Sequence, residues 1–273
     1  MSLRINTNTS AFNAYRNLSV TSNLMNSSLE KLSSGYRINK AADDAAGLAI
    51  SESLKSQIGG LTVAVRNAQD GVSVVQTAEG ALNETTAILQ RMRDLAVEAN
   101  NAGAQNDTSI GDLDTEFQQL ASELDDISGN TEFNGVTLLD GSYSGTFQVG
   151  ANNGDSLTIA VSTAMDSTLL GTSGAGTLDS STAAGLIDSI DSAIEEVSST
   201  RATQRAYQNR LDHKINNLNV TIENLTASNS RIRDTDMASE MVNFTKEQIL
   251  SQAGTAMLAQ ANTAPQTVLR LLQ

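Results

Sequence analysis

The sequence contains no cysteine and no tryptophan, and its 273 residues include one proline and one histidine. Without cysteine the chain can form no disulfide and offers no thiolate ligand or cysteine nucleophile. Aromatic residues make up 3% of the chain, which argues against the aromatic-walled pockets typical of small-molecule enzymes. The apolar content of 39% is mainly aliphatic, a composition that favours long helices packed through Leu, Ile, Val and Ala.

Long hydrophobic runs are also missing. No stretch of about 18 consecutive apolar residues occurs, so we expect no transmembrane helix and no membrane insertion. Residues 1–13 lack a basic segment followed by an apolar core, so we expect no cleavable signal peptide.

Positive charge is absent from the middle of the chain. Residues 101–200 hold 16 acidic residues and no Lys or Arg, whereas the remainder holds 15 acidic and 17 basic residues. The sequence therefore predicts a solvated anionic middle and electrically balanced ends that can pack together. We expect no nucleic-acid partner for such an acidic chain.

Both ends of the chain show the apolar periodicity of coiled-coil helices. The N-terminal seam advances in steps of four and three and stops before Gly35; its members are Ala11, Tyr15, Leu18, Ser22, Met25, Leu29 and Leu32. The C-terminal helix is predicted to end at Pro265, and its apolar residues are Met237, Met241, Phe244, Leu250, Met257 and Leu258.

Two further helices are predicted to be long. From an N-cap at Asp43-Asp44, one helix repeats apolar residues every seven positions to about residue 100: Leu54, Leu61, Ala68, Val75, Leu82, Leu89 and Ala96. A shorter helix follows from Leu113 to Ile127. The longest seam runs from Ile187 to Leu225 and is interrupted by Arg201, Gln204 and Gln208, polar core residues of the kind that set register at a cost in stability.

Between residues 130 and 176 the periodicity changes to that of short strands. Asn134-Gly135, Asp140-Gly141 and Asn152-Asn153-Gly154 are hairpin turn signals between β-prone segments. We expect a small β-hairpin cap, followed by a flexible Gly/Ser/Thr segment over residues 167–181.

The predicted fold is mainly α: an elongated antiparallel helical bundle or coiled coil formed from both chain ends, with the β-hairpin region at the distal end. Residues 1–43 and 230–273 form an inner coiled coil, residues 44–130 and 182–229 an outer bundle, and residues 131–181 the cap. The two terminal helices have little core of their own. We expect them to fold when neighbouring copies cover them, so that polymerisation is their role.

No catalytic, cofactor or metal site is predicted. His213 lies two residues past a seam position and is expected at the surface, while the pairs Asp125-Asp126 and Glu195-Glu196 are expected on solvated acidic faces. Residues 171–176 are rich in glycine but lack the preceding strand and following Lys of a phosphate-binding loop.

Several strings resemble those of bacterial flagellins. They are LEKLSSGYRINKAADDAAGLAIS at 29–51, NAQDGVS at 67–73, QTAEGAL at 76–82, TEFNG at 131–135, SRIRDTDMA at 230–238, ILSQA at 249–253 and MLAQAN at 257–262. The resemblance spans about 1–140 and 183–273 and leaves the middle unmatched.

This resemblance implies a structural subunit of the extracellular flagellar filament, a helical homopolymer used for motility. It also implies export of the unfolded chain through the flagellar type III pathway, with the filament cap, the hook-associated proteins and an export chaperone on the C-terminal helix as partners. Many members carry a Gln-Arg-x-Arg-Glu-Leu string recognised by Toll-like receptor 5. Residues 90–95 match it with Asp94 in place of Glu, so Arg91, Leu95 and Glu116 become candidate receptor contacts.

Physical features alone leave three alternatives. A signalling coiled coil, such as a chemoreceptor cytoplasmic domain, also folds back as a long hairpin but gives no reason for turn signals at its tip. A membrane-inserting helical translocator is weakly supported, because the ends carry little net positive charge and no Trp. An enzyme is least favoured, because one His and no Cys leave few reactive groups.

Overall fold

The structure is a computed structural model that describes residues 7–101, 103, 105–170 and 177–271, with side chains up to residue 264 except that of Leu170. Over these residues it is mainly α-helical, as predicted, with a small antiparallel hairpin region. The elements in chain order are α1 (Thr9–Ser34), α2 (Ala45–Ala99), α3 (Asp107–Asn130), β1 (Glu132–Phe133), β2 (Val136–Thr137), β3 (Tyr143–Gln148), β4 (Ser156–Val161), a short 3-10 helix (Ser167–Leu170), α4 (Ala183–Arg233) and α5 (Met237–Leu271).

The chain divides into two compact units. The terminal unit comprises Met1–Ser56 and Asn224–Gln273, and the central unit comprises Gln57–Glu223. The long helices α2 and α4 contribute residues to both.

Side-chain caps define the ends of the N-terminal helices. Asn8 accepts a hydrogen bond from the backbone N–H of Ala11, and α1 ends at Gly35, whose φ of 75° is a conformation open to glycine. Asp44 accepts a bond of 2.9 Å from the N–H of Gly47 and so caps α2. The predicted start of the second helix is therefore confirmed.

Helix α2 runs without interruption over 55 residues, and its buried residues follow the predicted spacing of seven. In the predicted row Leu54 is half-buried and the other members are buried, from Leu61 to Ala96. Helix α4 buries a matching row: Ile190, Val197, Gln204, Leu211 and Leu218. Packing of such rows against each other maintains helices that isolated propensity alone would not stabilise.

The central unit contains two apolar clusters. The larger one joins α2, α3 and the N-terminal part of α4 around side chains such as Leu89, Phe117 and Ile190. The smaller one places Leu157 and Ile159 of β4 against α2 and α4; its buried members are Ala68, Val75, Val149, Leu157, Ile159 and Leu211.

Two of the three predicted turns close hairpins, Asn134-Gly135 in β1-β2 and Asn152-Asn153-Gly154 in β3-β4. The prediction of a hairpin turn at Asp140-Gly141 is wrong, because this turn connects β2 to β3, which belong to different sheets. Glycine occupies the left-handed region at each predicted turn: Gly135, Gly141 and Gly154 have φ of 77°, 81° and 93°. In the longer hairpin Tyr143 pairs with Val161 and Gln148 with Ser156.

The predicted flexible segment and the predicted end of the last helix both contain more regular structure than expected. The segment predicted to be flexible contains a turn of 3-10 helix at Ser167–Leu170 and a buried side chain at Leu178, while residues 171–176 lie outside the described residues. The predicted helix end at Pro265 is wrong, because α5 continues to Leu271. Proline removes one backbone hydrogen bond and crowds the preceding turn, which weakens a helix but need not end it.

Candidate functional site

In the terminal unit, α1 and α5 pair in opposite directions. The Nδ2 of Asn8 donates to the carbonyl of Ala261 at 2.7 Å, and Leu18 lies against Gly254 further along the pair. A Cβ added at Gly254 would lie 3.3 Å from Cδ1 of Leu18, so glycine allows a close approach of the two helices. The predicted pairing of the two chain ends is thus present.

The seam between α1 and α5 contains little buried apolar surface. Among their described side chains the buried ones are Ser28 and Glu247, at 7% and 9% exposure. A hydroxyl and a carboxylate supply no hydrophobic stabilisation, and burying a carboxylate costs free energy. The intramolecular pair therefore has a weak core.

The residues predicted to polymerise fall into two groups in the structure. Leu18, Met25, Leu32, Phe244 and Leu258 are half-buried. The others are exposed by 45–65%: Tyr15, Leu29, Met237, Met241, Leu250 and Met257. Exposed apolar side chains in this number are typical of a surface that another protein covers.

Sequence reasoning missed a further set of exposed apolar residues, 50–69% accessible, because it assumed one stripe per helix. They are Phe12, Val20 and Leu24 on α1 and Val242 and Ile249 on α5. Val242 and Ile249 are seven residues apart and hence on one face, roughly opposite Phe244. The seven-residue spacing of Val242 and Ile249 is the sequence signal that could have identified this second apolar face. These two residues line a surface groove together with Met241, Thr245 and Lys246.

A junction outside the helix pair holds the two chain ends together. The N–H of Arg37 donates to the carbonyl of Arg233 at 2.7 Å, and that of Thr235 donates to Gly35 at 2.9 Å. The Arg233 guanidinium lies 4.7 Å from the centre of the Tyr36 ring, and its Nη1 donates to a Glu52 carboxylate oxygen at 2.7 Å. One arginine thus joins the segment after α1 to α2.

The candidate receptor contacts lie in the central unit and do not share one environment. Arg91 and Glu116 form an ion pair at 2.7 Å, with side chains 52% and 43% exposed. The hydrogen bond from Arg91 lowers the pKa of Glu116 below its usual value. Leu95 is different, because it has no exposed surface and belongs to the larger apolar cluster. The prediction that Leu95 contacts the receptor directly is therefore wrong, because Leu95 is a core residue.

The other titratable candidates serve the fold or face solvent. His213 is exposed. Asp125 accepts hydrogen bonds from the backbone N–H and the hydroxyl of Ser167, at 2.8 and 3.2 Å. Asp114 accepts one of 2.7 Å from the N–H of Leu178. Both carboxylates attach the connection before α4 to α3.

Within the part of the chain that the structure describes, no three His, Asp or Glu side chains lie together as metal ligands would. None of the described helices is both long and apolar enough to span a membrane. What the structure does present is a pair of terminal helices with a weak seam and exposed apolar faces. The fold and this site define a helical structural subunit that associates with other protein chains.

Comparison with known proteins identifies the class. Residues 5–144 match the bacterial flagellin N-terminal helical region, and residues 187–272 match the bacterial flagellin C-terminal helical region. The chain belongs to the bacterial flagellin family, as the sequence strings indicated. It is therefore a structural subunit of the extracellular flagellar filament, which self-assembles, and it is not an enzyme.

Individual relatives agree over nearly the full length. The chain is 47% identical to flagellin of Bacillus subtilis (strain 168), covering 99% of this chain and 100% of that protein. It is 49% identical to flagellin of Halalkalibacterium halodurans, covering 98% and 99%. Among solved structures, Bacillus cereus flagellin matches with a TM-score of 0.50 and 38% identity, covering 56% of this chain and 88% of that one.

Proposed function

We propose that α1 and α5 are the elements through which this flagellin polymerises. The observation that supports this is the inverted distribution of side chains: the pair buries Ser28 and Glu247 and exposes large apolar groups. Removing apolar surface from water contributes about 25 cal/mol per Å². Neighbouring copies that cover these faces therefore supply the hydrophobic stabilisation that the seam between α1 and α5 lacks.

Folding of the terminal helices is coupled to assembly in this proposal. Helices with such a weak mutual core are marginal on their own, and the surface needed to complete them comes from other subunits. Hydrogen exchange on dilute monomer tests this coupling. We expect fast exchange over residues 8–32 and 237–264, and slow exchange at the buried positions of α2; slow exchange over α1 in the monomer would contradict the coupling.

Truncation tests the assignment to the ends. A fragment starting at Asn39 loses α1 and keeps the central unit, so it is expected to stay soluble and folded by circular dichroism but to form no filaments in electron micrographs. Filaments formed by this fragment at the concentration used for the full chain would refute the assignment.

We also propose that the chain is exported unfolded through the flagellar type III pathway. The absence of cysteine supports this, because no disulfide must be broken or formed during passage. The exposed groove at Val242 and Ile249 suits an export chaperone that covers α5 until release, and the cap and hook-associated proteins would meet the same terminal helices. Expression in a flagellated bacterium tests this: the chain should reach the medium in the parent strain and stay in the cells of a strain lacking the export gate.

We further propose that Toll-like receptor 5 recognises this flagellin at the surface around Arg91 and Glu116. The exposed Arg91-Glu116 pair supplies the accessible charges, while Leu95 shapes the surface from below. Arg91→Ala is expected to weaken signalling in a reporter-cell assay. Arg205→Ala is the matched control, since Arg205 is exposed, forms an ion pair with Glu79 at 2.8 Å and lies outside the string at residues 90–95. Equal signalling from both variants and the parent would remove Arg91 from the contact.

A further inference from the structure

The pairing of α2 with α4 in the central unit has a repetitive pattern. The α4 row described above recurs every seven residues from Ile190 to Leu218, and the α2 row does so from Leu61 to Ala96. A slip of one helix by seven residues, about 10 Å along the axis, would bring apolar rows into contact again. Periodicity alone therefore does not select one register.

Gln204 interrupts this repetition. It is the polar member of its row and is 1% exposed. Its Nε2 is buried and has no hydrogen-bond partner among the described residues. On α4, Val197 belongs to the larger apolar cluster and Leu211 to the smaller one, so Gln204 stands between the two clusters. An amide in this position gains little from burial, and its presence needs another reason.

The observed register places small residues of α2 near this amide. Helices α2 and α4 run in opposite directions, since Arg205 forms an ion pair with Glu79 at 2.8 Å and Arg93 forms one with Asp191. Gln204 stands one heptad before Leu211, which packs on Gly71, so it is level with Ala78, one heptad after Gly71. One heptad away, Leu211 packs on Gly71, where an added Cβ would lie 3.2 Å from its Cδ1. Gly71 belongs to a second α2 row of mostly small residues, Ala64, Gly71, Ala78, Thr85 and Met92.

We propose that Gln204 and Gly71 select the register of the α2-α4 pair. A slip in one direction moves Gln204 from Ala78 to Thr85, next to the larger side chains of Leu82 and Leu89. A slip in either direction takes Leu211 from Gly71 to an alanine whose methyl group occupies the space that Leu211 needs. Polar and small residues thus disfavour the registers that the aliphatic rows allow.

Cross-linking between introduced cysteines measures the register directly. Because the chain has no cysteine of its own, no other thiols react with the cross-linker. Double-cysteine variants are refolded from denaturant and treated with a bis-maleimide whose reach is shorter than the slip. The pair E79C/R205C reports the observed register. The pairs E79C/D212C and E79C/S198C report slips of one heptad in the two directions.

With Gln204 and Gly71 present, we expect the observed-register pair to cross-link and both slipped pairs to stay at background. In chains carrying Gln204→Leu together with Gly71→Ala, we expect at least one slipped pair to rise about tenfold. Gln208→Leu is the control, because Gln208 is a half-buried glutamine outside the buried row, and it should leave all three yields unchanged.

Slipped pairs that stay at background in the double variant would overturn the proposal and leave Gln204 as a destabilising residue only. The same conclusion would follow if Gln208→Leu raised the slipped yields as much. The same cross-linking yields are measured for Gln204→Met, an unbranched apolar replacement of similar length. This variant separates the loss of the amide from the branched shape of leucine.

Discussion

The double substitution Val242→Ala with Ile249→Ala tests the outer face of α5 as an assembly surface. These side chains are 69% and 60% exposed and lie away from the seam with α1, so their truncation should leave the free subunit unchanged. Complete burial of a Val or Ile side chain contributes about 1.5–3 kcal/mol relative to exposure. Only the exposed part of each side chain is newly covered on assembly, and alanine still covers its own Cβ. The assembly free energy lost by truncation is therefore about 1 kcal/mol for each residue.

The two losses together correspond to about 2 kcal/mol per added subunit, or a roughly 30-fold rise in critical concentration. Sedimentation of seeded filaments over a series of monomer concentrations measures this quantity directly. Val136→Ala on β2 is a matched control, since Val136 is 53% exposed and outside the terminal unit. A critical concentration within twofold of the parent's, or an equal rise in the control, would refute the role of this face.

Three further outcomes follow from the contacts described. Gly80→Ala, in open space within α2, should raise the free energy of unfolding by up to about 1 kcal/mol, whereas Gly71→Ala should gain less or lose stability because its Cβ presses on Leu211; urea denaturation compares the two. Arg233→Ala removes a ring contact and an ion pair and should cost about 1–2 kcal/mol, seen as faster hydrogen exchange at the junction. Hydrogen bonds from a serine hydroxyl and two backbone N–H groups lower the pKa of Asp179, so its stabilisation is complete above its ordinary pKa of 3.8 and is lost as pH falls below that value; the difference in Tm between parent and Asp179→Asn should shrink there.

Sequence periodicity predicted the parts of this fold that repeat. The seven-residue row of α2, the seam of α4 and the glycine turns at Gly135 and Gly154 are local patterns whose physical cause lies within a few neighbouring residues. These features can be read from the chain itself, because burial repeats with the period of the helix and positive φ favours glycine.

What could not be predicted depends on partners distant in sequence. Leu95 directly precedes a row residue and lies inside the core because α2 is covered on a wider arc than one stripe. The second apolar face at Val242 and Ile249 is covered by none of the described residues, so one apolar stripe per helix gave no reason to separate it from Phe244. Pro265 is a local signal that predicted a helix end, but α5 continues to Leu271, since a proline weakens a helix without always ending it.

The two carboxylates on α3 have a practical consequence for engineering. Asp125 anchors the chain at Ser167 and Asp114 anchors it again at Leu178, so the connection is fixed to the bundle on both sides. Lengthening a loop whose two ends are held in place costs only about 0.6 kcal/mol per doubling of its length. Foreign peptides inserted between these anchors should leave the helices undisturbed, and every subunit of a filament would then carry one copy.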